Sequence, residues 1–323
     1  MKEDLLYDSF LEEIVHKIPH KIEVVNTLAD MLCLAREAVY RRLRKEVPFT
    51  FHEVMAISRH LGISLDNLET KDSPRTQPFR LKLIEYINPA ASDFALMEEM
   101  TSIMKTFKEG SDARAGEITN ILPQPLYATF PSVFKFHLFK WKYQSNRSER
   151  ALPYKDIVVV DRLQKIQEEY VSWARRLHAD YVFDRMIFRY MVTNIEYFYY
   201  IGLVTREEVR SIMDDLLRIL DAIDHLLRTG AFKDTGKRVN IYISGINIDT
   251  NYVYVSAPGY RLTIIKAFLL NGIASTDTAT FEEVQCWMHS LQKQSVLITG
   301  SGEKERFGFL SEQHQVVESL SRL

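Results

Sequence analysis

Five short amphipathic segments with strong stops between them occupy the first seventy residues, and they restrict this part of the chain to a helical bundle. Their apolar residues recur at helical spacing, and the segments cover about 5–18, 24–32, 35–43, 50–61 and 63–68. Pro19 ends the first segment, Gly62 stands at the C′ position of the fourth, and Ser64 is a suitable N-cap for the fifth. Because helices this short cannot bury their apolar faces alone, we expect a five-helix bundle with tight connections.

The third of these helices carries a concentration of positive charge. Five basic residues lie between Arg36 and Lys45, against one acid, Glu37. At about 100° per residue, a single arc of roughly 140° contains Arg36, Glu37, Tyr40, Arg41 and Arg44. Val39 and Leu43 fall on the opposite side. The pattern predicts a helix that is anchored by apolar residues on one side and presents arginine and tyrosine on the other.

A tight turn between an apolar helix and such a basic helix is typical of a helix-turn-helix. The second helix of that motif enters the major groove of DNA, and side chains near its N-terminus reach base edges. Arginine suits this position because its fork matches guanine O6 and N7, and also phosphate. The predicted DNA-binding residues are Ala35, Arg36, Glu37, Tyr40, Arg41, Arg42, Arg44 and Lys45.

The position of each side chain along the helix suggests its role. We expect base contacts near the start of the helix, from Arg36, Tyr40 and Arg41, and phosphate contacts near its end, from Arg44 and Lys45. Arg42 lies near the core boundary, where it either joins the phosphate contacts or pairs within the bundle. Glu37 either reads cytosine N4 or repels other sequences. A solvated basic face without a nucleic-acid partner is the plainer interpretation of the same charges.

Residues 21–68 resemble the phage-repressor-like (XRE-type) helix-turn-helix domain. The stretch that carries the resemblance is "LADMLCLAREAVYRRL", in which Ala29 and Val39 match the family's small residue in the first helix and apolar residue in the second. The resemblance implies that the side chains from Ala35 to Arg41 on the outer face meet DNA. Cys33 stands where the family prefers glycine, and a left-handed conformation there would cost about 1–2 kcal/mol.

The stretch "TKDSPRTQPF" (70–79) has two prolines and several polar residues and predicts a linker. We therefore expect a DNA-binding domain at 1–70, a linker at 71–78 and an α+β dimerisation or sensor region at 79–323. Within that region the pattern predicts three helices, at about 156–178, 180–202 and 205–228, so that 156–228 is helical. The part 238–323 is expected to be sheet-rich, with "RVNIYISGI" and "NYVYVSA" joined as a hairpin in an antiparallel-rich sheet.

The region after Phe79 loosely resembles Bacteroidetes transcriptional regulators that join an N-terminal helix-turn-helix to a large α+β region. The carrying stretches are "PSVFKFHLFKWK" and "KQSVLITGSGEKERFGFL". This resemblance brings no known ligand. It implies that the region serves dimerisation or senses a small-molecule effector of unknown identity.

Composition and motifs exclude several classes of protein. The chain has 323 residues, a formal charge of −2, 46% hydrophobic and 26% charged residues, which is typical of a globular protein. No apolar run approaches the roughly 18 residues that span a bilayer, and the acidic N-terminus has no signal-peptide core. Cys33 and Cys286 make no metal-binding spacing. The two cysteines lie far apart, which fits a reducing compartment, and we expect a cytoplasmic location. Because no nucleophile elbow, P-loop or zinc motif occurs, we expect neither an enzyme nor a cofactor or metal.

These observations predict a sequence-specific DNA-binding transcriptional regulator that acts as a homodimer on double-stranded DNA. The alternative is a protein-interaction module in which the helical bundle docks a protein partner. That alternative draws on the charge of the first seventy residues, where nine basic and twelve acidic side chains give a net charge of −3. DNA-binding domains usually carry a basic excess.

Overall fold

The computed structural model describes residues 2–18, 21–63, 65, 68, 79–108, 112–145, 151–300 and 302–323. The chain divides into two units, Met1–Pro78 and Phe79–Leu323, and each is described by itself. None of the described helices is both long and apolar enough to cross a membrane.

The first unit is built from short helices that share one apolar core. Their bounds are α1 Lys2–Lys17, α2 Lys21–Leu32, α3 Arg36–Leu43 and α4 Phe51–Leu61. The core gathers apolar side chains from all four helices and from the connections, including Ile14, Leu28, Val39, Phe49 and Ile57. These four helices lie where the apolar spacing predicts them. The fifth predicted helix, "ISLDNL", falls mainly outside the described residues.

Both ends of α4 carry capping residues that can be recognised in the sequence. Thr50 is the N-cap, and its side chain accepts a hydrogen bond from the Glu53 amide while the Glu53 carboxylate accepts one from the Thr50 amide. This reciprocal arrangement satisfies two amides that the helix itself leaves unpaired. At the other end Gly62 adopts the left-handed conformation (φ 66°), as predicted for a C′ glycine.

The second unit is built on an eight-stranded mixed sheet with the order β1-β7-β6-β5-β2-β3-β4-β8. The strands are β1 Arg80–Lys82, β2 Arg114–Thr119, β3 His178–Phe183, β4 Val239–Ile243, β5 Tyr252–Ala257, β6 Tyr260–Ala267, β7 Asn271–Ser275 and β8 Val296–Leu297. The pairings β2–β3 and β3–β4 are parallel, and the other pairings in the described sheet are antiparallel. The predicted α+β class with an antiparallel-rich sheet is confirmed.

Helices cover both faces of this sheet. Their bounds are α5 Ala91–Lys105, α6 Gln124–Tyr127, α7 Pro131–Ser145, α8 Asp161–Ala174, α9 Ile187–Tyr200, α10 Arg206–Thr229, α11 Thr278–Lys293 and α12 Glu303–Glu318, with 3₁₀ turns at Tyr154–Asp156 and Ser319–Arg322. Successive side chains of β3 point to opposite faces of the sheet. Tyr181 and Phe183 belong to the large core on one face. Val182 packs on the other face against two residues of α11, Phe281 and Met288. The helix α10 has a continuous buried stripe and contacts α7 and α12.

The prediction that 156–228 is entirely helical is wrong, because β3 interrupts it. The predicted helix 156–178 is the shorter α8, and the predicted helix 180–202 combines a strand with α9. The segment "HADYVF" is a strand because its residues alternate between two apolar layers, whereas a helix would leave half of them exposed. The third predicted helix is confirmed as α10, with the capping box formed by Thr205 and Glu208.

The predicted hairpin between "RVNIYISGI" and "NYVYVSA" is also wrong. These strands, β4 and β5, are not neighbours, since β2 and β3 lie between them in the sheet. The connecting segment instead passes the carboxyl ends of those parallel strands. There the amide of Ile248 donates to Asp184 Oδ2 (2.8 Å), and Asn120 Nδ2 donates to the carbonyl of Ile248 (2.8 Å). The sequence reading also missed β7.

A buried polar group lies between the sheet and the helices. Glu117 of β2 forms an ion pair with Lys266 of β6, and both side chains are largely buried.

A buried histidine lies on α7. His137 is 2% exposed and stacks on Tyr127 with 4.1 Å between ring centroids. Neither ring nitrogen of His137 has a hydrogen-bond partner among the described residues. Burial, with smaller contributions from Lys140 and Lys266, lowers the pKa of His137 to about 3, so the ring is neutral at physiological pH.

Candidate nucleic-acid interface

The helix α3 is anchored on one side and open to solvent on the other. Val39 is fully buried, and Leu43 packs against the same core. The exposed side chains are Ala35, Arg36, Glu37, Tyr40, Arg41, Arg44 and Lys45. Ala35 is the N-cap and provides no side-chain hydrogen bond, so the first amides of α3 are not capped by that residue. The exposed side of α3 is called here the α3 face.

The turn before α3 has a left-handed residue at Cys33. Cys33 lies in the left-handed region with φ 51°, and the amide of Leu34 donates to the carbonyl of Ala29 (3.0 Å). This hydrogen bond closes the end of α2 in the manner of a glycine-terminated helix. A cysteine therefore occupies a backbone position that glycine adopts without strain. The turn is retained in spite of that cost.

Arg42 does not belong to the α3 face. Its Nε and Nη2 atoms donate to the two carboxylate oxygens of Glu53 (3.0 and 2.8 Å), and Nη1 donates to the carbonyl of Ala38 (3.1 Å). Its side chain is 15% exposed. Of the two roles open to Arg42, the structure shows the internal pair, which joins α3 to α4. A phosphate contact from Arg42 would require this bidentate pair to break.

Glu53 also caps α4, so one carboxylate holds the beginning of α4 and the middle of α3 together. Burial raises the pKa of Glu53, but the hydrogen bonds from Arg42 and Thr50 outweigh it, and the pKa is lowered overall. The carboxylate is thus ionised throughout the neutral range. Through this carboxylate, α3 is hydrogen-bonded to the start of α4.

Tyr7 of α1 is a positioning residue that the sequence reading missed. Its hydroxyl accepts a hydrogen bond from the amide of Phe49 (2.9 Å) and donates to the carbonyl of Arg42 (3.5 Å). Burial raises the pKa of Tyr7, which keeps the hydroxyl protonated. The apolar spacing of α1 places Tyr7 three residues before Phe10, near the core, but it does not indicate which carbonyl the hydroxyl reaches.

The cations of the α3 face make only weak contacts within the unit. Arg41 and Arg44 lie 3.4 and 4.0 Å from the carboxylate of Glu46, and Lys45 pairs with Asp8 of α1. These pairs are about half exposed, and such pairs contribute between roughly 0 and 1 kcal/mol. Phosphate groups can therefore replace their carboxylates at little cost.

The beginning of the α3 face is the least constrained. Arg36 has no ion-pair partner among the described residues. One turn later Tyr40 is 40% exposed, and the Arg44 guanidinium lies 5.7 Å from its ring centroid. An arginine without an ion pair, followed one turn later by an exposed tyrosine, can enter the major groove of DNA and donate hydrogen bonds to base edges.

Comparison of the chain with models of protein families, with characterised proteins and with solved structures finds no match. Within the described parts of both units, no group of three or more His, Cys, Asp or Glu side chains is arranged to hold a metal ion.

Proposed function

We propose that this protein is a sequence-specific DNA-binding transcriptional regulator that acts in the cytoplasm, with α3 as its recognition helix. The observation that carries the proposal is the α3 face, in which Arg36, Tyr40 and Arg41 project away from a helix held by the buried Val39. A protruding helix with one anchored side and arginines on the other is the element that reads the major groove.

The proposal assigns different contacts to the two ends of α3. Arg36, Tyr40 and Arg41 contact base edges, while Arg44 and Lys45 exchange their weak surface pairs for phosphates. Glu37 is exposed beside Arg36, where a carboxylate can accept a hydrogen bond from cytosine N4. Arg42 takes no part, because Glu53 occupies its guanidinium.

The proposal includes a homodimer. One helix-turn-helix buries too little surface for tight specific binding, so such domains usually act in pairs on half-sites about one helical turn apart. We assign the dimer contacts to the second unit, where exposed aromatic side chains occur on α9 at Tyr190, Tyr197 and Tyr200. Light scattering at concentrations that saturate DNA tests this part of the proposal, and a monomer would contradict it.

The rival function is a protein-docking bundle, favoured by the net charge of −3 in the first seventy residues. The two functions differ in their dependence on salt, because counterions are released when lysine and arginine neutralise phosphates. Genomic fragments that the pure protein retains would be sequenced, and the affinity of one retained fragment measured against salt concentration. Failure to retain DNA at low salt would refute the proposal and favour the rival.

A double variant, Arg44→Ala with Lys45→Ala, tests the phosphate contacts. It should flatten the slope of log affinity against log salt by about 1 to 2, since each phosphate contact contributes roughly 0.9. Arg59→Ala is the matched control, because Arg59 is an exposed arginine of the same unit on α4. An unchanged slope in the double variant, or an equal change in the control, would remove these side chains from the interface.

Arg36→Ala tests base reading. It should cost about 1–3 kcal/mol at the preferred site and much less on random DNA, because a fork on guanine discriminates between bases. The specific and non-specific affinities are measured at one salt concentration for the native protein and the variant. If both fall by the same factor, Arg36 contacts only phosphate.

A further inference from the structure

A basic cavity lies in the second unit, where the parallel strand β3 passes into α9. Its volume is 370 Å³, and its walls come from the start of α9, from α12 and from the 3₁₀ turn Ser319–Arg322. The first lining residues, Arg185 and Met186, follow directly after Asp184 at the carboxyl end of β3. In sheets with parallel strands, the crevice outside the carboxyl ends is the usual place for a ligand.

The charges that line this basic cavity are unbalanced. Three arginines, Arg185, Arg189 and Arg322, face one acid, Glu312. Arg185 is the arginine that Glu312 neutralises, with Nε and Nη2 at 3.0 and 2.8 Å from the same carboxylate oxygen. Neither Arg189 nor Arg322 has an ion-pair partner in the described parts of the chain. Two guanidinium charges are therefore left without a counter-charge in a concave site, which attracts anions.

The start of α9 adds little to this potential. The amide end of a helix carries a partial positive charge that favours an anion. Met186 is the N-cap of this 14-residue helix, and its amide donates to Oδ1 of the buried Asp184 (2.7 Å), so a carboxylate already offsets part of that charge. The attraction for an anion therefore comes from the arginines.

Gln313 supplies a separate indication that the cavity takes a ligand. This lining side chain is 1% exposed, and its Nε2 donates to the carbonyl of Arg185 (3.3 Å). That hydrogen bond fixes the amide orientation, because a flipped amide would bring two acceptor oxygens together. The remaining oxygen, Oε1, is buried and has no partner among the described residues. A buried acceptor without a donor is unfavourable, so the site lacks a hydrogen-bond donor.

We propose that the basic cavity binds a small phosphate monoester that carries a hydroxyl group, such as a compound of sugar-phosphate size. The dianionic phosphate matches the two guanidinium groups without a counter-charge, and planar guanidinium forks bind phosphate oxygens in pairs. The hydroxyl provides the donor that Gln313 Oε1 lacks. A volume of 370 Å³ lies near the lower end of the roughly 300–1,000 Å³ of small-molecule sites, which limits the ligand to this size. This binding does not depend on the proposed DNA contacts.

Isothermal titration calorimetry on the full chain tests the proposal with three probes: glycerol 3-phosphate, methyl phosphate and lactate. Glycerol 3-phosphate should bind most tightly, about threefold to tenfold more tightly than methyl phosphate, since it adds one hydrogen bond to the same dianion. Lactate, with a single charge, should bind most weakly. Absence of binding by both phosphates at millimolar concentration would overturn the proposal, as would lactate binding as tightly as glycerol 3-phosphate.

Arginine variants locate the binding. Arg189→Ala and Arg322→Ala should each weaken glycerol 3-phosphate about tenfold or more, because each removes a charge-assisted contact. Arg210→Ala on α10 is the matched control, an exposed arginine of the same unit outside the cavity. Native affinity in both cavity variants, or an equal loss in the control, would overturn the proposal.

Gln313→Leu tests the hydroxyl contact. It should abolish the preference for glycerol 3-phosphate over methyl phosphate while methyl phosphate still binds. A retained preference would refute the role of Gln313, and if the variant does not fold, the same preference in the native protein decides. Displacement of glycerol 3-phosphate by duplex DNA would show that the cavity takes a backbone phosphate, and would overturn the assignment to a small molecule.

Discussion

The neutral histidine His137 makes the second unit sensitive to acid, and replacing it with phenylalanine should remove part of that sensitivity. The ring is buried, stacks on Tyr127 and has no hydrogen-bond partner at either nitrogen in the described structure. His137→Phe keeps an aromatic ring on Tyr127 and takes away only the groups that bind protons. At pH 7.5 the variant should be at least as stable as the native protein, because it buries no unpaired nitrogen.

The size of the effect follows from the two pKa values of His137. Its pKa is about 3 in the folded protein, against an ordinary value of 6.5. The unfolded chain therefore binds a proton between these values that the folded protein does not, so folding stability falls as the pH drops from 6.5 towards 3. From pH 7.5 to pH 5 this residue should remove about 2 kcal/mol of unfolding free energy. The His137→Phe variant should lose that much less over the same interval.

Urea unfolding at pH 7.5 and pH 5, followed by tryptophan fluorescence, measures the difference. The three tryptophans, Trp141, Trp173 and Trp287, all lie in the second unit, so the signal reports the unit that contains His137. His289→Gln is the control, because it removes an imidazole that is exposed on α11 instead of a buried one. If the native protein and His137→Phe lose equal stability between the two pH values, His137 is protonated in the folded state and the reasoning fails.

Three further substitutions test the packing of the two units. Cys33→Gly should stabilise the first unit by about 1 kcal/mol, since glycine adopts the left-handed turn freely, and amide hydrogen exchange of α2 and α3 should slow accordingly. Val39→Asp should unfold the first unit and abolish DNA retention while leaving the tryptophan-detected unfolding of the second unit unchanged; loss of both would show that the units are coupled. Lys266→Met should destabilise the second unit by about 3–5 kcal/mol because it leaves Glu117 charged and buried, and the double change with Glu117→Leu should recover most of that loss in urea unfolding.

The four described helices of the first unit could be predicted because their signals are local. Apolar spacing, Thr50 with Glu53, and Gly62 act within a few residues of each other. The same spacing predicts which side of α3 is exposed. Local spacing could not predict the hydrogen-bond partner of Arg42. That partner is Glu53, which lies eleven residues later in the chain and is brought to Arg42 by the fold. The role of Tyr7 could not be predicted for the same reason, since its hydrogen-bond partners lie more than thirty residues away in the sequence.

The second unit was less predictable because its strands are defined by distant partners. The six residues of β3 lie between two helices, and their alternation is too short to outweigh the helical patterns on either side. The order of the sheet places β2 and β3 between two strands that are consecutive in the chain, which local patterns do not reveal. The basic cavity is similar, since Arg189 and Arg322 lie far apart in sequence.

The position of β1 has a consequence for how the protein is made. This strand comes directly after the predicted linker, yet its partner in the sheet is β7, at Asn271–Ser275. The residues after β1 are tied to the same distant region, because Ile84 donates to the Asn271 side chain and Tyr86 to the carbonyl of Leu270. During synthesis on the ribosome, the first unit can fold from contacts within its own short length. The strand β1 can pair only after almost 200 further residues have been made. A fragment of the second unit that begins after Lys82 would lose this edge strand, so a separately expressed second unit should begin at or before Phe79.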